Sequence, residues 1–454
     1  MHGTIFEPSR ATKVIGDYDI CVVGGSATGV FAAVRAARLG ARVAIIENNG
    51  FFGGVATAGL VNVWHSIYDT TGERQIIGGL TEEVIERLVS CNAAIIDKTN
   101  LTRYCVFHPE VLKIILDQLV MENKIQPYLH TKFVAAYMED NRVQAVIVED
   151  KTGRRAIRAS YFIDATGDGD VVDRLGLQYT LNPHPQPPTT CVILSGLHEV
   201  HQRDPDFDLN KCVFDPSFPD SLSQGYLWSA PVPNAGDNTM VAGTRIYGVN
   251  CVDAEDLTKA EMLGRAQAWQ ISEIVRKRAL ADNTAIPMVS LPARIGVRES
   301  RHVVCHYRLT EEDVLLGRRF PDAIGNGSFP VEIHHADKPG TTFRYLDGTE
   351  IVVGPDGSQD RGRWAGDGQR LNTFYQIPYR CLVPLNVDNL LVAGRQISAD
   401  SAAFGAIRVM VNCNQTGEAA GVAAFVALDS SQPTHSVEPE VLRKKLADGG
   451  SIVF

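Results

Sequence analysis

The 454-residue chain lacks an excess of positive charge, because its 43 lysines and arginines are outnumbered by 53 aspartates and glutamates. Proteins that bind nucleic acids usually present a basic face to the phosphate backbone, so we expect no nucleic-acid partner. The chain also lacks a long hydrophobic run. Its longest candidate, AAGVAAFVAL at 419–428, is too short to span a bilayer, and we expect no membrane partner.

Closely spaced cysteines are absent as well. None of the nine cysteines belongs to a C-x-x-C or C-x4-C pair, so the sequence predicts neither a redox disulfide nor a metal site. The N-terminal segment has no apolar stretch of the kind found in signal peptides. Scattered thiols are typical of proteins from a reducing compartment, and we therefore expect a cytoplasmic protein.

A β-α-β unit is predicted near the N-terminus. The apolar run YDICVVGG indicates a buried strand, VFAAVRAARLG has helical periodicity, and ARVAIIE indicates a second strand that ends at Glu47. Dinucleotide-binding folds have this arrangement, with a G-x-G-x-x-G turn at the pyrophosphate and an acid about 20 residues later at the ribose.

One position departs from that fingerprint: Gly24 and Gly29 are present, but Ser26 stands between them. Gly24 allows the tight turn and Gly29 allows the helix to pack on the strand, whereas the middle position needs only a small side chain. Serine keeps its N–H, is favoured at a helix N-terminus and needs no positive φ. We therefore predict a dinucleotide site, and Glu47 disfavours an NADP-type ligand because it would repel a 2′-phosphate.

Several later segments combine a strand with a glycine turn or carry a recognisable motif. They are NNGFFGGVATAG (48–59), YFIDATGDGD (161–170), GVRESRHVV (296–304), LTEEDVLLGRRFPDAI (309–324), IPYRCLVP (377–384), DNLLVAGRQIS (388–398) and FGAIRVM (404–410). Through these motifs the chain resembles, nearly end to end, the bacterial FAD-dependent oxidoreductase family of the glutathione-reductase-like flavoprotein fold. The resemblance implies FAD as the cofactor.

The resemblance also implies which residues hold FAD. They are Gly24, Gly25, Ser26, Ala27, Gly29, Glu47, Asn48, Gly53, Gly54, Val55, Ala56, Thr57, Val134, Ala165, Thr166, Gly167, Gly394, Arg395 and Arg408. By analogy Glu47 would bind the adenosine ribose and the Val134 backbone would meet the adenine. Arg395 stands where many relatives of this fold have an acid that binds the ribityl chain.

We predict an α/β protein of two domains. Residues 1–180 and 372–454 would form a discontinuous, Rossmann-like FAD-binding domain, and residues 181–371 an inserted mixed-sheet substrate or cap domain. The exit is placed at NPHPQPP (182–188), because so many prolines disfavour a helix or a central strand. The polar, glycine-rich segment 338–370 is interpreted either as a surface β-hairpin or as a mobile lid.

The candidate catalytic residues are Arg298, Arg395, Tyr379 and Arg380. Arg298 would either stabilise negative charge on the substrate or the reduced flavin, or brace the two domains through salt bridges. Since the chain holds only one dinucleotide fingerprint, the flavin would meet a small-molecule substrate directly.

The predicted function is hydride transfer between flavin N5 and a small polar organic metabolite. A flavin monooxygenase and a non-catalytic flavin-binding subunit are the alternatives. The substrate, the electron acceptor and the oligomeric state, which includes a possible homo-oligomer, stay open.

Overall fold

The computed structural model describes residues 3–6, 10–100, 102–222, 226–279, 286–355, 357–366, 368–369 and 371–454. The strands, in chain order, are β1 (Lys13–Val23), β2 (Val43–Ile46), β3 (Val63–Trp64), β4 (Ala94–Ile96), β5 (Cys105–Phe107), β6 (Gln126–Tyr128), β7 (Lys132–Glu139), β8 (Arg142–Asp150), β9 (Gly153–Asp164), β10 (Tyr179–Leu181), β11 (Cys191–Ser195), β12 (Trp228–Pro231), β13 (Asn238–Ala242), β14 (Met288–Ser290), β15 (Arg301–Val303), β16 (Ala323–Gly327), β17 (Val331–His334), β18 (Thr341–Arg344), β19 (Thr349–Val353), β20 (Gln359–Arg363), β21 (Tyr375–Pro378) and β22 (Leu390–Val392).

The α-helices are α1 (Ala27–Arg38), α2 (Leu80–Ser90), α3 (Pro109–Glu122), α4 (Asp170–Arg174), α5 (Leu197–Arg203), α6 (Leu209–Phe214), α7 (Ala254–Ala279), α8 (Glu311–Leu315), α9 (Ser401–Ile407), α10 (Met410–Ser430) and α11 (Pro439–Asp448). Three short 3-10 helices span Gly54–Ala56, Tyr379–Leu382 and Thr434–Ser436.

The central sheet has the strand order β6-β2-β1-β9-β8-β7, and β22 also pairs with β9. Strands β6, β2, β1, β9 and β22 run parallel, and β7 and β8 extend the sheet as an antiparallel meander. Strand β2 is fully buried, which suits a parallel strand covered on both faces. The predicted β1-α1-β2 unit is therefore present, and the carboxyl ends of β1, β9 and β22 meet at one edge, where parallel sheets bind ligands.

Helix α10 lies directly against α1, and two glycines make this approach possible. A Cβ on Gly417 would lie 2.1 Å from the carbonyl oxygen of Thr28, and a Cβ on Gly421 would lie 2.1 Å from that of Ala32. Both distances are far inside van der Waals contact, so neither position accepts a side chain while the helices stay this close. This packing brings the N-terminus of α10 to the sheet edge that carries the β1-α1 turn.

A second hydrophobic core lies in the predicted cap. The antiparallel sheet β12-β13-β11-β14 packs on α7, with Leu194 and Val241 against Ile271 and Val275. Further along the chain, residues from Val303 onwards pack into the core of the central sheet instead. The domain boundaries at 181 and 371 stay predictions. The buried residues of the second core lie between Val192 and Ile286, which is a shorter stretch than the predicted cap.

Strands β17, β18, β19 and β20 form an antiparallel sheet that covers most of the segment interpreted as a hairpin or a lid. Strand β17 packs against α9, which brings the side chains of Glu332 and His334 towards the end of that helix. The lid interpretation stays a prediction.

No helix among the described residues is long and apolar enough to cross a membrane. All nine cysteines are free, and eight of them are buried. Within the described ranges, no group of three or more His, Cys, Asp or Glu side chains is arranged to hold a metal ion.

Candidate cofactor and substrate site

The turn between β1 and α1, here called the phosphate turn (residues 24–29), is built around two glycines. Gly24 has a φ of 107°, and a Cβ there would lie 2.3 Å from the carbonyl oxygen of Ala165. A Cβ on Gly29 would lie 1.9 Å from the carbonyl oxygen of Gly24. Glycine is therefore required at both positions for the helix and the two strands to approach this closely.

Ser26 occupies the middle of the phosphate turn in an ordinary backbone conformation. It is the N-cap of α1 with a φ of −62°, and its Oγ accepts a 3.4 Å hydrogen bond from the N–H of Gly29. The first N–H groups of α1 have no partner within the helix, which makes its N-terminus a suitable site for a phosphate. Serine in place of glycine thus leaves the backbone geometry of an anion site intact.

Glu47 ends β2 beside the phosphate turn and is 7% exposed. Its Oε2 accepts a 2.8 Å hydrogen bond from the N–H of Gly25, and its Oε1 accepts 2.7 Å bonds from the backbone and side chain of Asn49. The N–H of Thr131 donates to the Glu47 carbonyl at 3.0 Å. Three residues further on, Val134 lies where the pairing of β7 and β8 shifts register, so a bulge interrupts the ladder at the predicted adenine contact.

A cavity opens beside the phosphate turn, and many of the residues predicted to bind FAD line it. They are Ser26, Ala27, Gly53, Gly54, Val55, Ala165, Thr166, Gly167, Gly394, Arg395 and Arg408. The other predicted residues lie outside the lining, namely Gly24, Gly25, Gly29, Glu47, Asn48, Ala56, Thr57 and Val134. The cavity is therefore centred on the phosphate turn and on the ends of β9 and β22.

The remaining lining residues were not predicted from the sequence. They are Thr28, Ala58, Gly59, Asp168, Arg294, Ile295, Gly296, Val297, Ala393, Met410, Cys413 and Asn414. Those at 294–297 lie between β14 and β15, and those at 410–414 belong to the first turns of α10.

Asn414 is a lining residue whose side chain suits a polar ligand. The residue is 1% exposed, and neither atom of its side-chain amide has a hydrogen-bond partner in the part of the chain that the structure describes. A buried amide without partners costs about 1–3 kcal/mol for each unsatisfied group, so a bound group that pairs with it would be stabilised. The nearby α10 N-terminus adds partial positive charge.

Two strand-end turns are tied together by Arg395. Its guanidinium forms an ion pair with Asp168 at 2.6 Å, and it donates to the carbonyl oxygen of Gly167 and, at 2.8 Å, to Ser300 Oγ. Its charge is thus balanced by a carboxylate, and its contacts hold the two turns together at the edge of the cavity.

The buried carboxylate of Asp164 holds the turn that follows β9. It is fully buried, it accepts hydrogen bonds from Thr166 Oγ1 at 2.7 Å and from the N–H of Val171 at 2.9 Å, and burial raises its pKa to about 6. These contacts explain why the turn 165–167 keeps its shape at the cavity wall.

A second set of charged residues, here called the arginine cluster, lies next to the cavity. It consists of Arg245 after β13, Arg298 before β15, Glu332 and His334 of β17, and Arg408 at the end of α9. Arg408 lines the cavity and forms a 2.6 Å ion pair with Glu332. Arg298 itself is partly buried and follows the lining residues Gly296 and Val297 in the chain, so the structure brings it close to the site without placing it in the wall.

Tyr379 and Arg380 do not join this site. Tyr379 is buried, its hydroxyl donates to the Thr434 carbonyl at 2.8 Å, and burial raises its pKa above the ordinary value. Arg380 forms a 2.9 Å ion pair with Asp322. Both residues line a different pocket, shared with His306 and other residues, and neither borders the cavity at the phosphate turn.

Comparison with known proteins agrees with the phosphate turn and the cavity just described. Residues 19–446 match the family model described as FAD dependent oxidoreductase. The chain belongs to this family. It is thus an FAD-dependent oxidoreductase and a flavoprotein, which confirms the enzyme class and the cofactor expected from the sequence. The glycine-built phosphate turn, Glu47 and the unpaired amide of Asn414 fit a bound FAD.

Individual relatives are more distant. The chain is 25% identical over 163 residues to the mitochondrial dihydrolipoyl dehydrogenase of Schizosaccharomyces pombe, a match that covers 34% of this chain and 28% of that enzyme. Among solved structures, it is similar to a geranylgeranyl bacteriochlorophyll reductase-like protein from Thermoplasma acidophilum (12% identity, 95% and 83% of the two chains, TM-score 0.45). It is also similar to p-nitrophenol 4-monooxygenase from Pseudomonas putida (10%, 95% and 84%, 0.44) and to a myxobacterial chondrochloren halogenase (11%, 96% and 80%, 0.46).

Proposed function

We propose that this enzyme transfers a hydride between N5 of FAD and a small polar organic metabolite. The observation that carries the proposal is the position of the cavity. It extends from the phosphate turn to residues 294–297 and to the start of α10, which form part of its wall. FAD supplies the redox chemistry when bound, and the protein positions the substrate against it.

The chain's own residues have separable tasks in this proposal. The N–H groups of the phosphate turn bind the pyrophosphate, and Glu47 accepts hydrogen bonds from the adenosine ribose. Asn414 and the N-terminus of α10 pair with polar atoms of the ring system. Arg395 holds the strand-end turns in register, and the segment 294–297 limits the access of water from the cap side.

We further propose that the FAD domain is of the glutathione-reductase-like type. The parallel strands β6-β2-β1-β9-β22, joined to the β7-β8 meander, support this assignment, as does the partial match to dihydrolipoyl dehydrogenase. A cytoplasmic location is proposed from the nine free cysteines. A small molecule is the proposed partner, with neither nucleic acid nor membrane, and size-exclusion chromatography tests for a homo-oligomer.

The proposed reaction is tested by mixing the purified yellow holoenzyme with single metabolites under argon. Loss of the flavin absorbance without NADH or oxygen is the expected result, because a hydride donor reduces the cofactor directly. If the flavin is instead reduced only by NADH, and oxygen is then consumed to form a hydroxylated product, the enzyme is a monooxygenase and the proposal is wrong. A bound flavin that no donor reduces would indicate a non-catalytic subunit.

A further inference from the structure

The arginine cluster holds more positive than negative charge. Arg245 is 4% exposed and Arg298 and Arg408 are partly buried, whereas Glu332 is the carboxylate that approaches them. Among the described residues, neither Arg245 nor Arg298 forms an ion pair with any carboxylate. Isolated buried charges are costly, so an excess of about two positive charges calls for a partner.

Hydrogen bonds connect these side chains into one network. The guanidinium groups of Arg245 and Arg298 both donate to the hydroxyl of Thr189, the former at 3.1 Å. Arg245 also lies 3.4 Å from Nδ1 of His334, whose Nε2 lies 3.3 Å from Glu332. Because Nδ1 accepts from Arg245, the ring proton is placed on Nε2, where it donates to Glu332.

Neither His334 nor the nearby His65, which interacts electrostatically with Glu332 and Arg408, adds charge to the cluster at neutral pH. Burial, with Arg298 nearby, lowers the pKa of His334, and burial lowers the pKa of His65 to about 4. Burial also lowers the pKa of Arg245 to about 10, and it lowers the pKa of Arg298, with Arg245 and Arg408 adding to the effect. Guanidinium groups stay protonated near pH 7, so the cluster keeps its positive charge.

The cluster borders the cavity at two points. Arg408 lines the cavity itself, and its Nε is buried without a hydrogen-bond partner in the described chain. Thr189, which accepts from two of the arginines, pairs through its backbone with the lining residue Gly296 at 2.8 and 3.0 Å. A ligand beside the ring end of the cofactor would thus lie next to guanidinium groups whose charge is incompletely matched.

We propose that the arginine cluster binds an oxyanion group, a carboxylate or a phosphate, of an anionic substrate. Arg408 contacts the anion from the cavity wall, Arg298 adds a second positive charge beside that wall, and Arg245 is a positioning residue that acts through Thr189 and His334. The guanidinium group suits this task because its parallel N–H donors match the two oxygens of a carboxylate or phosphate. This inference rests on the proposed function and deepens it by naming the substrate class.

The test titrates the FAD-loaded enzyme with malonate, succinate and inorganic phosphate, and with the neutral malonamide. Two readouts are used, the shift of the flavin absorbance bands and the rise in melting temperature. We expect both readouts to change saturably with the dicarboxylates or with phosphate, and the probe that is effective shows whether the site takes a carboxylate or a phosphate. Malonamide should change neither readout. Arg298→Met is expected to weaken binding of the effective anion at least about tenfold, because it removes one of the positive charges that no carboxylate balances.

The matched control is Arg276→Met, which removes one arginine from the exposed face of α7, where it pairs with Glu273 at 2.8 Å. This variant should bind the anion like the parent. If no anion changes either readout, or if Arg298→Met lowers the melting temperature and leaves anion binding unchanged, the cluster is a structural brace and the inference is wrong.

The outcome also separates this inference from the proposed function. A flavin that is reduced by a neutral metabolite, with no anion effect, would retain the function and overturn the anion site. Anion binding that depends on Arg298 in a protein whose flavin no donor reduces would retain the site and overturn the function.

Discussion

The phosphate turn and the arginine cluster both suit a negatively charged group, but they are built differently. The phosphate turn is six consecutive residues whose backbone N–H groups provide the donors, and two glycines let the neighbouring strands approach. The arginine cluster draws its side chains from four segments between Arg245 and Arg408. A backbone site recognises a group common to all dinucleotides, whereas a side-chain site varies with the substrate.

The largest expected effect concerns the backbone site. Gly29→Val places a branched side chain where even a Cβ would lie 1.9 Å from the Gly24 carbonyl oxygen, so α1 must move away from the turn. Overpacking of this kind costs about 1–3 kcal/mol or more, and we expect FAD affinity to fall by ~10²-fold or beyond. Flavin content after gel filtration and circular dichroism measure the loss and the remaining fold.

The control for this change is Gly362→Ala, because a Cβ on Gly362 meets nothing within 4 Å. It should keep full flavin content. A Gly29→Val protein that is yellow at the parent's stoichiometry would show that the turn tolerates side chains, and the contrast between the two sites would then disappear.

The second effect concerns the side-chain site. Arg298→Lys keeps the charge but loses the planar fork that donates to Thr189 and to the Pro187 carbonyl. If the guanidinium acts on the substrate, we expect flavin reduction to slow by ~10²-fold, as for loss of one preorganised donor, with FAD content unchanged. Rapid mixing under argon measures the rate. A parent-like rate would remove Arg298 from the chemistry.

The phosphate turn was predictable because its determinants are contiguous. The spacing of Gly24 and Gly29 between two apolar strands, with Glu47 after the second, is visible in the 30 residues from Tyr18 to Glu47 and depends on local backbone geometry. The parallel β1-α1-β2 unit followed from the same pattern. The structure then showed contacts of Glu47 to Gly25 that no sequence pattern expresses.

The side-chain site was only partly predictable, for a physical reason. Arg298 and Arg408 were selected through motifs, but Glu332 and His334 join them only because β17 packs on α9, and Arg245 joins them through Thr189 and His334. Such long-range packing leaves no periodicity in the sequence. Asn414 was missed likewise, since a polar residue in a helix carries no signal until the helix end is known to face a cavity.

The prediction for Tyr379 and Arg380 shows the reverse case. The motif around them lies shortly before β22, whose carboxyl end reaches the cavity. Strand β21, however, leads into a 3-10 helix whose residues Tyr379 and Arg380 contact Thr434 and Asp322 instead. Proximity along the chain did not become proximity in space. Their catalytic assignment stays a prediction that the geometry of the cavity does not support.

The third effect concerns the pH dependence of stability and tests the surroundings of the arginine cluster, because His65 lies near Arg408 and Glu332. Burial lowers the pKa of His65 to about 4 from an ordinary 6.5, so the native ring stays neutral while the unfolded chain takes up a proton. Stability from this group is therefore present above pH 6.5 and is lost as the pH falls through about 4. The loss is up to about 3 kcal/mol by linkage.

Urea unfolding of the parent and of His65→Gln between pH 7 and 4 measures this effect. The variant should lose less stability on acidification than the parent, because glutamine does not titrate. His198→Gln, on an exposed position of α5, should follow the parent. Parallel curves for all three proteins would mean that the ring is not held neutral beside Arg408 and Glu332.

The smallest expected effect is that of Ser26→Gly, which restores the common fingerprint. Ser26 has a φ of −62°, so the backbone of the turn does not need the conformational freedom of glycine. Its Oγ accepts only a long, 3.4 Å hydrogen bond from the N–H of Gly29, so loss of the hydroxyl removes little helix-capping energy. Exchange of a capping serine for glycine costs a few tenths of a kcal/mol, so FAD affinity should change by less than about threefold. Titration of the apoprotein with FAD by fluorescence quenching measures it. A weakening beyond about tenfold (1.4 kcal/mol) would make the hydroxyl a principal phosphate ligand, and the turn would then bind through a side chain as the arginine cluster does.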